Sequence, residues 1–154
     1  MLRSLSAQEI YPDDTDAKYY TSGMLRTEQT FSLIYGNREH EAFFPFREID
    51  FGDFEMKSYG ELKDDPDYQT WIGDTTGTLP PPGGESACDF QMRVLKGFTE
   101  LLQEQEKRLI SSIADSPSRS NPPDGKLLTI AVCHGGPIAA ILQNAFPGEK
   151  ENFY

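Results

Sequence analysis

The stretch Leu127–Leu142, LLTIAVCHGGPIAAIL, decides how the rest of the chain is read. Residues 127–133 are mostly apolar with β-branched members, the length and content of a strand buried on both faces in the interior of a parallel sheet. Gly135 and Gly136 then allow a sharp reversal, Pro137 suits the first helical position, and Ile138, Ile141, Leu142 and Ala145 recur at helical spacing. His134 therefore falls at the carboxyl end of a strand, just before a helix N-terminus. Ligands of open α/β sheets collect there, because unpaired N–H groups and the helix dipole favour an anion. A histidine that only ends a strand and bonds a neighbouring carbonyl is the plain alternative, and His-Gly-Gly alone does not separate the two.

Working outward, 154 residues with 37% hydrophobic content and a mean hydropathy of −0.55 suit a single soluble domain spanning 1–154. No apolar run reaches membrane-spanning length and no leader-like segment follows Met1, so the expected location is the cytoplasm and no membrane partner is implied. Fourteen Lys and Arg against 25 Asp and Glu give a net charge of −11, which repels a phosphate-backbone polymer and argues against a nucleic-acid partner. A small anion could still be held locally. Cys88 and Cys133 form no CxxC pair, and two histidines without a Cys/His cluster leave no expected metal site.

The N-terminal segment MLRSLSAQEI reads as the last turns of a helix, followed by a polar loop and a short β-prone run at Tyr19, Tyr20 and Thr21. Ser22 and Gly23 break that run, and Met24–Tyr35 reads as a helix stopped by Gly36. Arg26 sits in its first turn, where a cation opposes the dipole by roughly 0.3 to 1 kcal/mol unless something negative lies beside it. A bound phosphate would relieve this, and so would a nearby carboxylate. His40, in NREHEAF, reads as an exposed connector residue. Phe43–Glu55, FFPFREIDFGDFE, reads as an irregular packed segment because Pro45 and Gly52 interrupt any ladder. Glu48 and Asp50 would lie among its rings, and burial there raises a carboxyl pKa toward what a general acid requires; surface acids between core aromatics are the alternative. Tyr59–Leu62 suggests a helical turn. Beyond a Pro/Gly-rich connector, Ser86 is a candidate N-cap for a long helix to about Ile113, a cover for the sheet through Phe90, Val94, Phe98, Leu101, Leu102, Leu109 and Ile113. Residues 114–125 form a turn-rich loop.

SGMLRTEQT (Ser22–Thr30), FREIDFGDFE (Phe46–Glu55), PPGGES (Pro81–Ser86) and VCHGG (Val132–Gly136) occur in the order and approximate spacing seen in the histidine phosphatase superfamily, the phosphoglycerate mutase-like enzymes. The resemblance spans nearly the whole chain. It implies an α/β/α three-layer sandwich with a mostly parallel sheet. Arg26 matches the superfamily's phosphate-binding arginine, Glu48 its general acid, and His134 its second histidine, which contacts the transferred phosphoryl group as a donor. Glu85 and Ser86 match a motif taken to be structural. No cofactor or metal is implied. The partner implied is a small phosphorylated substrate, with room for a homodimer.

The family's opening strand ends in Arg-His-Gly, whose histidine takes the phosphoryl group, and these 154 residues contain no such triplet. The family's last strand after the final helix also has no counterpart, so the chain is expected to be truncated at the N-terminus and again near the C-terminus. By the resemblance the missing first strand lies inside the sheet, which would leave ladder groups open. The function expected is hydrolysis of a small-molecule phosphate monoester through a phosphohistidine in the complete protein, with this chain inactive alone. The short segment between Glu55 and Gly84 leaves little room for a cap and favours hydrolase over phosphomutase. The other class is a non-catalytic remnant that binds a phosphorylated ligand or a partner protein.

Overall fold

The computed structural model describes residues 11–13, 16–114 and 127–147. The helix expected at Met1–Ile10, the loop at 114–125 beyond Ala114 and the chain's last residues lie outside that range. In order, the elements are β1 (Lys18–Thr21), α1 (Leu25–Tyr35), β2 (Glu41–Ala42), 3-10 turns at Phe44–Phe46 and Gly52–Phe54, α2 (Tyr59–Leu62), α3 (Pro66–Ile72), α4 (Ala87–Ala114), β3 (Thr129–Val132) and α5 (Gly135–Ala145). The architecture is α/β with an all-parallel sheet in the order β2-β1-β3. The chain forms two compact units, one of residues up to Arg47 with Lys96–His134, the other of Glu48–Leu95 with residues from Gly135 on.

In the first unit, β1 pairs with β3 from Lys18↔Thr129 to Thr21↔Val132 and with β2 at Tyr20↔Glu41 and Thr21↔Ala42. The expectation of an open ladder inside the sheet is therefore corrected at β1, which has a neighbour on each side. Unpaired edges fall instead on the outer sides of β2 and β3, among the described residues. That position also corrects the expectation that β3 is buried on both faces. Only Ile130 of its four residues is buried, and even it is 9% exposed, because among the described residues β3 lies at the edge of the sheet and lacks a second flanking neighbour.

The core of this unit is Tyr19, Phe31 and Ile130, with Ala17, Tyr35, Leu128 and Val132 packed against it. Phe31 is wholly buried, and its ring meets Tyr19 edge-on at 5.8 Å. Such a contact adds roughly 0.5–1.5 kcal/mol to the area it buries. The long helix α4 buries Val94 and Leu101, but Leu102, Leu109 and Ile113 remain exposed. Its expected cover is thus incomplete over the C-terminal half of the helix, where Leu102, Leu109, Leu127 and Leu128 line an open apolar groove of about 540 Å³.

In the second unit, Phe54, Tyr68 and Trp71 form a ring cluster, with centroids 5.4 to 5.8 Å apart. The segment carrying Glu48 is fixed by backbone rather than by a sheet. Asp53 N–H donates to the Pro82 carbonyl at 2.8 Å and Glu85 N–H to the Asp50 carbonyl at 2.9 Å. Gly52 permits this approach, since its φ is +53° and a Cβ there would lie 2.2 Å from the Pro82 oxygen. Ser86 caps α4, accepting from Asp89 N–H at 3.0 Å and donating to the Asp89 carboxylate at 2.7 Å. Glu85 binds Arg93 through both carboxylate oxygens, so the PPGGES stretch ties a loop to a helix. Helix α3 was not foreseen in the sequence, although Asp65-Pro66 carries its signal. Asp65 accepts from Asp67 and Tyr68 N–H, and Pro66 takes a position that needs no donor. Among the described residues no helix is long and apolar enough to cross a membrane.

Candidate functional site

Parallel pairing of β1 with β3 aligns their carboxyl ends, and the sequence places Ser22 directly after one and His134 two residues after the other. There the main chain leaves the ladder and side chains can meet. His134 is 8% exposed, Ser22 is fully buried and Thr27 nearly so. Arg26, in the first turn of α1, donates from Nε to His134 Nδ1 at 2.9 Å. His134 Nε2 lies 2.8 Å from Ser22 Oγ, which lies 2.9 Å from Thr27 Oγ1, and Thr27 donates to the Met24 carbonyl at 2.8 Å.

Sequence reading selected Arg26 and His134, and the structure brings them into direct hydrogen bonding. The cation of the first turn is matched here by an imidazole nitrogen, where the sequence suggested a phosphate or a carboxylate. Ser22 and Thr27 were missed as site residues. In the sequence Ser22 reads as a strand breaker, and the available signal is a hydroxyl on each side of the arginine within SGMLRTEQT.

Glu48 belongs to the second unit. Its Oε2 accepts from Gly136 N–H at 3.3 Å, in the first turn of α5, and its Oε1 from Ile49 N–H at 3.1 Å. A carboxylate at a helix N-terminus meets open N–H groups and the positive end of the dipole. The second glycine of His-Gly-Gly makes this possible, because a Cβ on Gly136 would stand 2.1 Å from Glu48 Oε1. Pro137 is the third residue of α5 rather than the first, which is tolerated because first-turn N–H groups have no acceptor within the helix. The expected enclosure of both acids among rings is corrected. Glu48 is half-buried, and Asp50 is exposed because its carboxylate turns back onto Gly52 N–H at 2.9 Å.

His40 is corrected as well. It is not an exposed connector residue: its side chain is 24% exposed, its ring lies 4.1 Å from that of Phe31, and Nε2 bonds the Glu28 carboxylate at 2.7 Å. Thr21 donates to the other Glu28 oxygen. Burial pushes the His40 pKa down, but the Glu28 hydrogen bond, the Arg38 carbonyl and the Glu28 charge together raise it above the ordinary imidazole value. Glu28 is held below the usual carboxylate range, first by the Thr21 hydroxyl and then by His40. Cys88 and Cys133 are both thiols. Among the described residues no cluster of three or more His, Cys, Asp or Glu side chains is arranged to hold a metal ion.

Arg26 and His134 are thus joined at the carboxyl ends of adjacent parallel strands of an α/β protein, the edge at which open α/β sheets meet their ligands. The family model of the histidine phosphatase superfamily (branch 1) matches residues 5–154, and the chain belongs to that superfamily. No curated protein sequence matches it. Among solved structures it is similar to Bacillus stearothermophilus YhfR, at 19% identity and TM-score 0.66, covering 99% of this chain and 68% of that one. The alpha-ribazole phosphatase from Shigella flexneri is 18% identical, with TM-score 0.68 and coverage of 99% and 68%. A mycobacterial glucosyl-3-phosphoglycerate phosphatase is 18% identical, with TM-score 0.63 and coverage of 99% and 66%. The chain thus spans about two thirds of the length of these proteins, and it shares their phosphoglycerate mutase-like fold.

Proposed function

We propose that this chain is the phosphate-holding part of a phosphomonoesterase acting on a small phosphorylated molecule. The observation that carries the proposal is the Arg26–His134 pair, a fixed cation at the carboxyl edge of the sheet whose arginine is exposed. In the proposed reaction a histidine nitrogen attacks phosphorus and the P–O bond to the alcohol breaks. Glu48 gives its proton to the departing oxygen, and water then cleaves the phosphohistidine. The nucleophile of this reaction is the histidine of an Arg-His-Gly triplet, and residues 1–154 do not contain that triplet. His134 has both nitrogens engaged, and His40 is bound to Glu28. Two structural neighbours described as an alpha-ribazole phosphatase and a glucosyl-3-phosphoglycerate phosphatase support hydrolysis over phosphomutase chemistry. The two thiols and the acidic net charge are in keeping with the cytoplasm and with a partner other than nucleic acid.

A second reading has its own support. The saturated ring of His134 and the lack of the triplet suit a chain that, taken alone, binds a phosphorylated ligand without turning it over. Hydrolysis of a chromogenic aryl phosphate tests both, comparing the 154-residue chain with the chain extended by its upstream coding sequence. Turnover only in the extended chain, abolished by Arg26→Ala and retained in His40→Ala, supports the esterase. Robust turnover by the 154-residue chain would overturn the assignment of the nucleophile. No turnover in either, with phosphate binding lost on Arg26→Ala, would favour the binding reading.

A further inference from the structure

We propose that Ser22 and Thr27 are positioning residues that decide which nitrogen of His134 carries the proton, and through that ring aim the guanidinium of Arg26. The assignment follows from counting hydrogens. Thr27 has one hydroxyl hydrogen, and at 2.8 Å it faces the Met24 carbonyl, which can only accept. Toward Ser22 Oγ, 2.9 Å away, Thr27 must therefore act as acceptor, and the single hydrogen of Ser22 is used there. Ser22 Oγ is left with lone pairs alone. Those accept Met24 N–H at 3.4 Å and face His134 Nε2 at 2.8 Å, so Nε2 must carry hydrogen.

The other side of the ring agrees independently. Arg26 Nε–H points at Nδ1 from 2.9 Å, and a guanidinium accepts nothing, so Nδ1 is bare. A hydrogen on Nδ1 would set two N–H groups head to head. One line of donors thus runs from Arg26 through His134, Ser22 and Thr27 to a backbone carbonyl, and its direction is fixed at the far end by Met24. Two of its members are buried hydroxyls, and such groups are expensive to leave unpaired.

The consequence for Arg26 is geometric. With Nε held by the imidazole, Nη1 and Nη2 form the outward edge, the pair that grips two oxygens of a phosphoryl group side by side. This last step rests on the phosphate-binding reading above. The tautomer does not, and the experiment separates them.

The chain has only two histidines, so His40→Gln leaves His134 as the only imidazole, and two-bond proton–nitrogen correlation on the nitrogen-15-labelled protein reads its tautomer. The expected result is the Nε2–H form in the folded chain and in Ser22→Thr, with Ser22→Ala and Thr27→Val moving it toward a mixture or toward Nδ1–H. An Nδ1–H ring in the parent, or the same ring form in folded Ser22→Ala and Thr27→Val, would overturn the proposal. Should Ser22→Ala not fold, the parent spectrum and Thr27→Val decide it. Titration with inorganic phosphate forms the second arm. Affinity should be lost in Arg26→Ala and fall about tenfold in Ser22→Ala, the size expected when one contact to a charged group is misaligned. A changed tautomer in Ser22→Ala with unchanged phosphate affinity would overturn the aiming of Arg26 through the ring, whereas unchanged affinity in Arg26→Ala would sink the phosphate reading and leave the tautomer assignment standing.

Discussion

The surroundings of His134 and His40 solve the same problem, seating an imidazole in a sheet-edge region, with opposite chemistry. His134 is enclosed by a hydroxyl and an arginine, groups that make it donor on one nitrogen and acceptor on the other. His40 meets a carboxylate and a carbonyl, both of which only accept, so its two nitrogens are both invited to carry hydrogen. The partner's hydrogen inventory, more than burial, decides what each ring can be. A ring between a hydroxyl and an arginine is locked into one tautomer, whereas a ring between acceptors is drawn toward the cation.

The largest test of this contrast is Phe31→Ala. It empties a fully buried site and should cost about 3–5 kcal/mol, measured as a drop in the urea midpoint. It also removes the ring under His40, so in protein that stays folded the His40 titration should move while the His134 tautomer holds. If both change together, the two settings are not independent. Ser22→Ala comes next. It strands a buried ring N–H and should cost about 1–3 kcal/mol. Glu28→Gln should cost less, about 1 kcal/mol or below at neutral pH, because that pair is part-exposed and screened.

The same variant tests the sign of a pH effect. His40 is raised in the folded state, so its contribution is fully present below the unfolded imidazole pKa and is lost as pH rises through the folded one. Glu28 is lowered, so its contribution is present above the unfolded carboxylate pKa and is lost as pH falls through the folded one. Melting temperature should therefore hold between those limits and fall on either side, and both slopes should flatten in Glu28→Gln. Arg38→Ala should have the smallest effect, under about 1 kcal/mol, since its ion pair to Asp13 at 2.8 Å is at the surface. A larger loss would point to the packing of its guanidinium over the Tyr19 ring.

What could be read from the sequence was what is local. The apolar run before His134, the glycine reversal and the amphipathic span of α4 are written in neighbouring residues, and so are the helix stop at Gly36 and the cap at Ser86. The superfamily pattern drew attention to Arg26, Glu48 and His134, and two of these are bonded to each other. The rest depended on partners outside the stretch being read, some a helix away and some more than a hundred residues off. NREHEAF looks like a connector because its polarity is plain, and only the approach of Glu28 and Phe31 makes His40 part of the interior. Ser22 looks like a break in a strand until His134, 112 residues later, is placed against it. The half-burial of β3 depends on which strand stands beside it, and no residue in TIAV announces that.

That separation of 112 residues also sets a clock. Closing a loop of such length is entropically costly, and contacts between remote segments are the slow part of folding, whereas α4 can form from neighbours alone. The β1–β3 ladder, and with it the Arg26–His134 pair, comes into being only when the two distant segments have met. A partly folded chain can hold helices and ring clusters before Arg26 and His134 are joined, so the bonded pair depends on two remote segments having met and not on local structure alone.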